Sequence, residues 1–118
     1  MLTLYGIPNC DTVKKALSRL ETEGVAYSFH NFRKDGIDAH MLGAMLASLG
    51  SDMLLNKRGT TWRKLTPQQQ ASALEDGGLA LMLAEPALIK RPVWEKDGAY
   101  RLGFQAGEQD ALVALAKA

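Results

Sequence analysis

The sequence predicts an α/β fold with a central mixed β-sheet, in the order βαβ, a run of helices, then ββα. Three observations carry that reading. A short apolar, β-prone run at residues 1–5 is followed by an amphipathic helical pattern and a second β-prone run at 25–32. The middle of the chain holds Thr66-Pro67-Gln68-Gln69, which has the form of a helix-opening capping box with proline at the first helical position. Near the end, Asp97-Gly98 separates the runs 93–96 and 99–104, the strongest short signal for a hairpin, because a two-residue type I′ turn needs positive φ at both positions.

Each element follows from local chemistry. Gly6 and Pro8 close the first strand, and after Asp11 the apolar residues Val13, Ala16, Leu17 and Leu20 fall on one helical face until Gly24 stops the pattern. The strand at 25–32 then makes a βαβ crossover with two parallel strands the economical topology. Asp38 is placed to cap a second helix, with Ile37 and Leu42 as a hydrophobic staple, Leu42, Met45, Leu46 and Leu49 as its buried face, and Gly50 as its stop. Residues 56–63 read as a polar loop, a third helix starts at the capping box, and Gly77-Gly78 interrupts it. A short helix over 79–84 ends before Pro86, since a proline ring cannot continue it. A last helix over 108–117 carries Leu112 and Leu115 on one side. A parallel half joined to an antiparallel hairpin, with a helical insertion between, is consistent with the thioredoxin-like layout.

Composition bounds the function. With 118 residues and 47% hydrophobic content the chain is expected to form one domain over 1–118. Fourteen basic residues against thirteen acidic ones, without a basic block, give no electrostatic footprint for nucleic acid or a membrane surface. No apolar run approaches the ~20 residues of a membrane span, and the first residues lack the pattern of a signal peptide, so a cytoplasmic protein is expected. One cysteine excludes an internal disulfide, a CxxC pair and a cysteine-rich zinc site, and two scattered histidines add no metal site.

That cysteine, Cys10, lies between the end of the first strand and the start of the first helix. There the unpaired N–H groups and the helix dipole favour negative charge and lower a thiol pKa. Lys14, one turn on, is placed to add positive charge, while Asp11 opposes it. The alternative is a small apolar residue at a turn, since free cysteine is among the most buried residue types. Position leaves both open.

The stretches "LYGIPNCDTVKKA" (4–16), "LLNKRGTTWRKL" (54–65) and "LIKRPVW" (88–94), in this order, resemble the ArsC-like family of the thioredoxin superfamily. The likeness is greatest to its YffB group and more distant to the glutaredoxin-dependent arsenate reductases and the Spx transcription regulators. It implies that Cys10 is the nucleophile of a glutathione-dependent thiol oxidoreductase, with no bound cofactor and with glutathione as co-substrate. The thiolate would attack a glutathione mixed disulfide or an oxyanion such as arsenate, and glutathione or glutaredoxin would resolve the intermediate. Arg58, Arg91 and, more loosely, Arg101 correspond to the three arginines that bind the oxyanion in the arsenate reductases. Arginine suits that task because its planar fork of donors matches arsenate, phosphate or a carboxylate. Pro92 matches the cis-proline of thioredoxin-like folds, and Lys14 joins the anion-binding set.

Departures from the pattern matter equally. Gly6 and Lys14 stand where the arsenate reductases have histidine and arginine, which favours glutathione over arsenate as the ligand. Val13 stands where most Spx proteins carry the second cysteine of a CxxC switch. A non-catalytic, Spx-like module that docks on RNA polymerase is the alternative function. The protein is expected to act as a monomer on a small anionic or thiol substrate, with no direct nucleic-acid or membrane partner. His30 and His40 are not expected to serve as the base, and Trp62, Trp94, Met41, Met45 and Met82 are expected to fill the core.

Overall fold

The computed structural model describes residues 1–118. The first elements are β1 (Leu2–Gly6), α1 (Asp11–Thr22), β2 (Tyr27–Asn31), α2 (Ala39–Leu49), α3 (Ser51–Leu54) and α4 (Thr60–Lys64). There follow α5 (Pro67–Ala73), α6 (Gly78–Ala84), a 3-10 turn (Pro86–Leu88), β3 (Val93–Lys96), β4 (Ala99–Leu102) and α7 (Gln109–Lys117). The chain divides into two compact units, one formed by Met1–Gly36 with Arg91–Ala118 and the other by Ile37–Lys90.

The first unit holds the mixed sheet of the thioredoxin-like layout, in the order β2-β1-β3-β4. β1 pairs with β2 in parallel, from Leu2 opposite Tyr27 to Gly6 opposite Asn31, as the βαβ reading requires. β3 runs antiparallel to β1, with Tyr5 opposite Val93, and forms the hairpin with β4. The turn residues Asp97 and Gly98 have φ of 53° and 80°, so both occupy the left-handed region that a type I′ turn demands. β3 covers the expected run 93–96, whereas β4 and β2 are shorter than the runs 99–104 and 25–32 suggested.

Leu2 and Leu4 of β1 and Trp94 of β3 pack with Ala16 and Leu20 of α1 and with Leu112, Val113 and Ala116 of α7 in one apolar cluster. Burying a leucine or aromatic side chain of this kind contributes about 1.5–3 kcal/mol each. The helix face of α7 differs from the expected one: Val113 and Ala116 are buried beside Leu112, while Leu115 is half-buried. Trp94 is a core residue as expected, and its indole Nε1 donates to the Gly103 carbonyl at 2.8 Å while its ring stacks on Phe104. Outside the cluster, Arg19 of α1 ties the helices together through ion pairs to Glu23 and Asp110.

The second unit is the helical insertion. Asp38 caps α2 by accepting from the Met41 N–H at 2.7 Å, and Gly50 ends the helix at φ 83°. Leu42 and Met45 are its buried residues; Leu46 and Leu49 are only partly covered. The Thr66–Gln69 capping box is complete, with the Gln69 N–H donating to the Thr66 hydroxyl at 3.1 Å and the Thr66 N–H donating to the Gln69 side chain at 2.9 Å. Residues 56–63 are not all loop, since α4 begins at Thr60, and α3 was not expected at all. Both helices are a single turn or little more, too short to show an apolar period. Hydrogen bonds from Asn56 to Leu88 and from Lys90 to Leu54 join the early and late parts of this unit. No helix of the chain is long and apolar enough to cross a membrane.

Candidate active site

Cys10 occupies the N-cap of α1, with extended backbone at φ −99° and ψ 125°. Its carbonyl accepts the first intrahelical bond, from the Lys14 N–H at 2.9 Å, and its own N–H donates to Ile7 at 3.4 Å. The sulfur thus sits in the place that a capping oxygen usually takes, facing the donors of the first turn. The side chain makes no full capping hydrogen bond, and the residue is only half-buried.

Strand pairing brings the second participant. Because β3 is antiparallel to β1, the residues that precede Val93 lie beside the end of β1, where Cys10 follows. Arg91 and the buried Pro92 occupy that place, joined by a cis peptide bond, and the Pro92 carbonyl accepts from the Gly103 N–H at 2.9 Å. The Arg91 side chain reaches the Cys10 sulfur.

Burial pushes the Cys10 thiol up, but the opposing influences together outweigh it. They are the Val13 N–H, the Arg91 side chain as a hydrogen-bond donor, the Thr12 N–H and the Arg91 charge, and they hold the thiol below its ordinary value. Two helix-start donors and a guanidinium are the groups that favour a thiolate. The ammonium of Lys14 is not among them, and its side chain is exposed on α1.

The other site residues expected from the sequence lie as follows. Arg101 is exposed on β4, opposite Trp94, and its Nη1 donates to the Tyr100 carbonyl at 2.8 Å. Arg58 belongs to the helical unit, is exposed, and its N–H donates to the Asn56 side chain at 3.2 Å. His30 is engaged elsewhere: its Nε2 lies 2.7 Å from the Gly36 carbonyl, which can only accept, so that nitrogen carries the proton. Its ring packs on Tyr5 and Phe32 with centroids 5.1 and 5.9 Å away, and His40 is exposed. No three side chains of His, Cys, Asp or Glu stand together as a metal-ligand set.

One participant carried no sequence signal of its own role. Gly6 ends β1, and a Cβ added there would lie 2.7 Å from Cγ2 of Val13. The end of the strand and the first turn of α1 are therefore in direct contact. From the sequence, Gly6 is a strand stop and the position where the arsenate reductases have histidine; its contact with Val13 was not foreseen.

Comparison with known proteins agrees with the three stretches noted above. A sequence profile of the ArsC family matches residues 5–112. The chain belongs to the ArsC family. Among solved structures, a YFFB protein superposes with a TM-score of 0.86 at 44% identity, covering 97% of each chain. An arsenate reductase (ArsC) related protein from Brucella melitensis superposes with a TM-score of 0.80 at 42% identity, covering 95% of this chain and 93% of its own. The global transcriptional regulator Spx of Enterococcus faecalis is 26% identical over 110 residues, which span 92% of this ArsC-family chain and 83% of the regulator.

Proposed function

We propose that this ArsC-family protein is a glutathione-dependent thiol reductase with Cys10 as nucleophile. The observation that supports it most is the environment of one sulfur, a half-buried thiol lowered by the N–H groups of Val13 and Thr12 and by Arg91. The likeness to an arsenate reductase related protein points the same way.

In this reading the Cys10 thiolate attacks the glutathione sulfur of a mixed disulfide, forms a Cys10–glutathione disulfide, and expels the other sulfur as a thiolate. A glutathione or glutaredoxin thiolate then attacks the same glutathione sulfur and releases Cys10 as thiolate. With glutathione as reductant, the sum is one mixed disulfide and one glutathione converted to one free thiol and one glutathione disulfide. Arg91 orients the anionic ligand while stabilising the sulfur, because a guanidinium carries five N–H donors and can hold a sulfur and a carboxylate together. Lys14 and Arg101 extend the cationic surface on the same unit, Pro92 shapes the floor beside the sulfur, and Arg58 enters on the family resemblance. Attack on arsenate is the alternative for the same thiolate. Gly6 and Lys14, in place of histidine and arginine, favour the glutathione route. In this reading the protein works in the cytoplasm as a monomer, with glutathione as co-substrate rather than a resident cofactor.

A coupled assay tests it: glutathione, a mixed disulfide of glutathione with a small thiol, and glutathione reductase to follow the disulfide produced. The wild type is expected to turn over and Cys10→Ser to be inactive. Equal rates with the two proteins, or none with wild type, would discard the reading.

The likeness to Spx favours a second reading, a non-catalytic module that binds RNA polymerase. Retention of purified polymerase by both wild-type and Cys10→Ser protein, together with no turnover, would establish it over the first.

A further inference from the structure

Gly6 does not owe its identity to backbone conformation. It is a regular β1 residue opposite Asn31, its carbonyl accepts from the Phe32 N–H at 2.9 Å, and it is absent from the set of positive-φ glycines. What matters is the missing side chain. A Cβ at position 6 would stand 2.7 Å from Cγ2, 3.4 Å from Cγ1 and 3.7 Å from Cβ of Val13. Ordinary carbon–carbon contact is about 3.5–4.0 Å, so the first of these is a collision.

Val13 has nowhere to go. It is fully buried at 0% exposure, and a β-branched side chain in a helix has essentially one χ1 rotamer. Strain introduced at position 6 therefore passes to the backbone of residue 13. That backbone carries an N–H that faces the Cys10 sulfur, with the Thr12 N–H beside it. Hydrogen bonds weaken steeply once misaligned.

We infer that Gly6 is a positioning residue for Cys10, its bare Cα letting Val13 seat against the end of β1 so that the first turn of α1 presents its N–H groups to the sulfur. The inference rests on the thiolate reading above. It gives Gly6 a role that a strand stop lacks. The same contact bars a histidine side chain from position 6 unless Val13 moves, so the Gly6–Val13 pair also decides which side chains can stand next to the nucleophile.

The test is the pH dependence of Cys10 alkylation by iodoacetamide, read as a midpoint in a double-mutant cycle. Gly6→Ala is expected to raise the midpoint by about one pH unit, within the range over which helix-start environments move thiols. In a Val13→Ala background the same change is expected to have no effect, because the nearest remaining atom, the residue 13 Cβ, would be 3.7 Å away. A loss of stability alone would lower the melting temperature without moving the midpoint. Val13→Ile, which crowds the same seat by one methyl, supplies the reading if Gly6→Ala does not fold, and an upward midpoint is again expected. A wild-type midpoint at the free-cysteine value overturns both this inference and the thiolate reading. A low wild-type midpoint that none of these variants raises overturns the inference alone.

Discussion

The side chain of Arg91 hydrogen-bonds the sulfur of Cys10, although the whole helical insertion separates them in sequence. Antiparallel pairing of β3 with β1 makes the contact possible, by placing the start of one strand beside the end of the other. Arg91 should therefore control the nucleophile. Arg91→Ala is expected to raise the Cys10 alkylation midpoint by about one pH unit and Arg91→Lys by less, because the ammonium keeps the charge and loses the fork. An alkylation profile of Arg91→Ala that overlays the wild type would remove Arg91 from the site.

Lys14 should behave differently. Its side chain is exposed and is not among the groups that lower the thiol, so Lys14→Ala is expected to leave the midpoint where it is. If Lys14 contributes to ligand binding, the same variant raises KM for glutathione with kcat unchanged, the pattern of lost uniform binding. A raised midpoint in Lys14→Ala would contradict this division of labour.

The lowered thiol also links stability to pH. The folded thiol loses its proton at lower pH than the unfolded one, so between the two values the unfolded chain holds more protons and stability rises with pH. The contribution is complete above the unfolded value of about 8.5 and disappears as pH falls through the folded value. Melting temperatures of wild type minus Cys10→Ser should therefore grow between about pH 6 and about pH 9. A difference that is flat or declines over that range would show that the folded thiol is not lowered.

In the helical unit, the capping box is the simplest point of attack. Thr66→Ala removes the acceptor for the Gln69 N–H and is expected to cost about 1 kcal/mol in urea denaturation. Thr66→Ser, which keeps the oxygen, should recover most of it. Equal losses in the two variants would assign the effect to the lost methyl group instead.

These sites differ in how far they could be read from sequence, and the reason is range. The capping box, the Asp97-Gly98 turn, the Asp38 cap and the apolar face of α1 are set by residues within four positions of each other, and all appear in the structure. α3 and α4 are local too, but a four- or five-residue helix shows no period, so a polar composition at 56–63 read as loop. On α7 the expected Leu112 is buried, but Val113 and Ala116 rather than Leu115 join it in the cluster with the sheet, a choice that depends on how the helix packs on distant strands and not on the hydrophobicity of its own residues. At the candidate site, the helix-start position of Cys10 was local and legible. Arg91 was reached only through the family motif, since nothing within ten residues of it mentions a cysteine. The Gly6–Val13 contact was hidden altogether, because the two residues carry separate local meanings, a strand stop and a helix face, and only their distance joins them.

The two tryptophans give the molecule a built-in optical readout. Trp94 is buried in the sheet unit with its indole N–H held by Gly103, whereas Trp62 sits half-buried on α4 of the helical unit. Each unit thereby owns one fluorophore, and Trp62→Phe and Trp94→Phe proteins would each emit from a single unit. Emission recorded from the two proteins through one denaturation series would tell whether the part that carries the nucleophile melts together with the helical insertion or ahead of it.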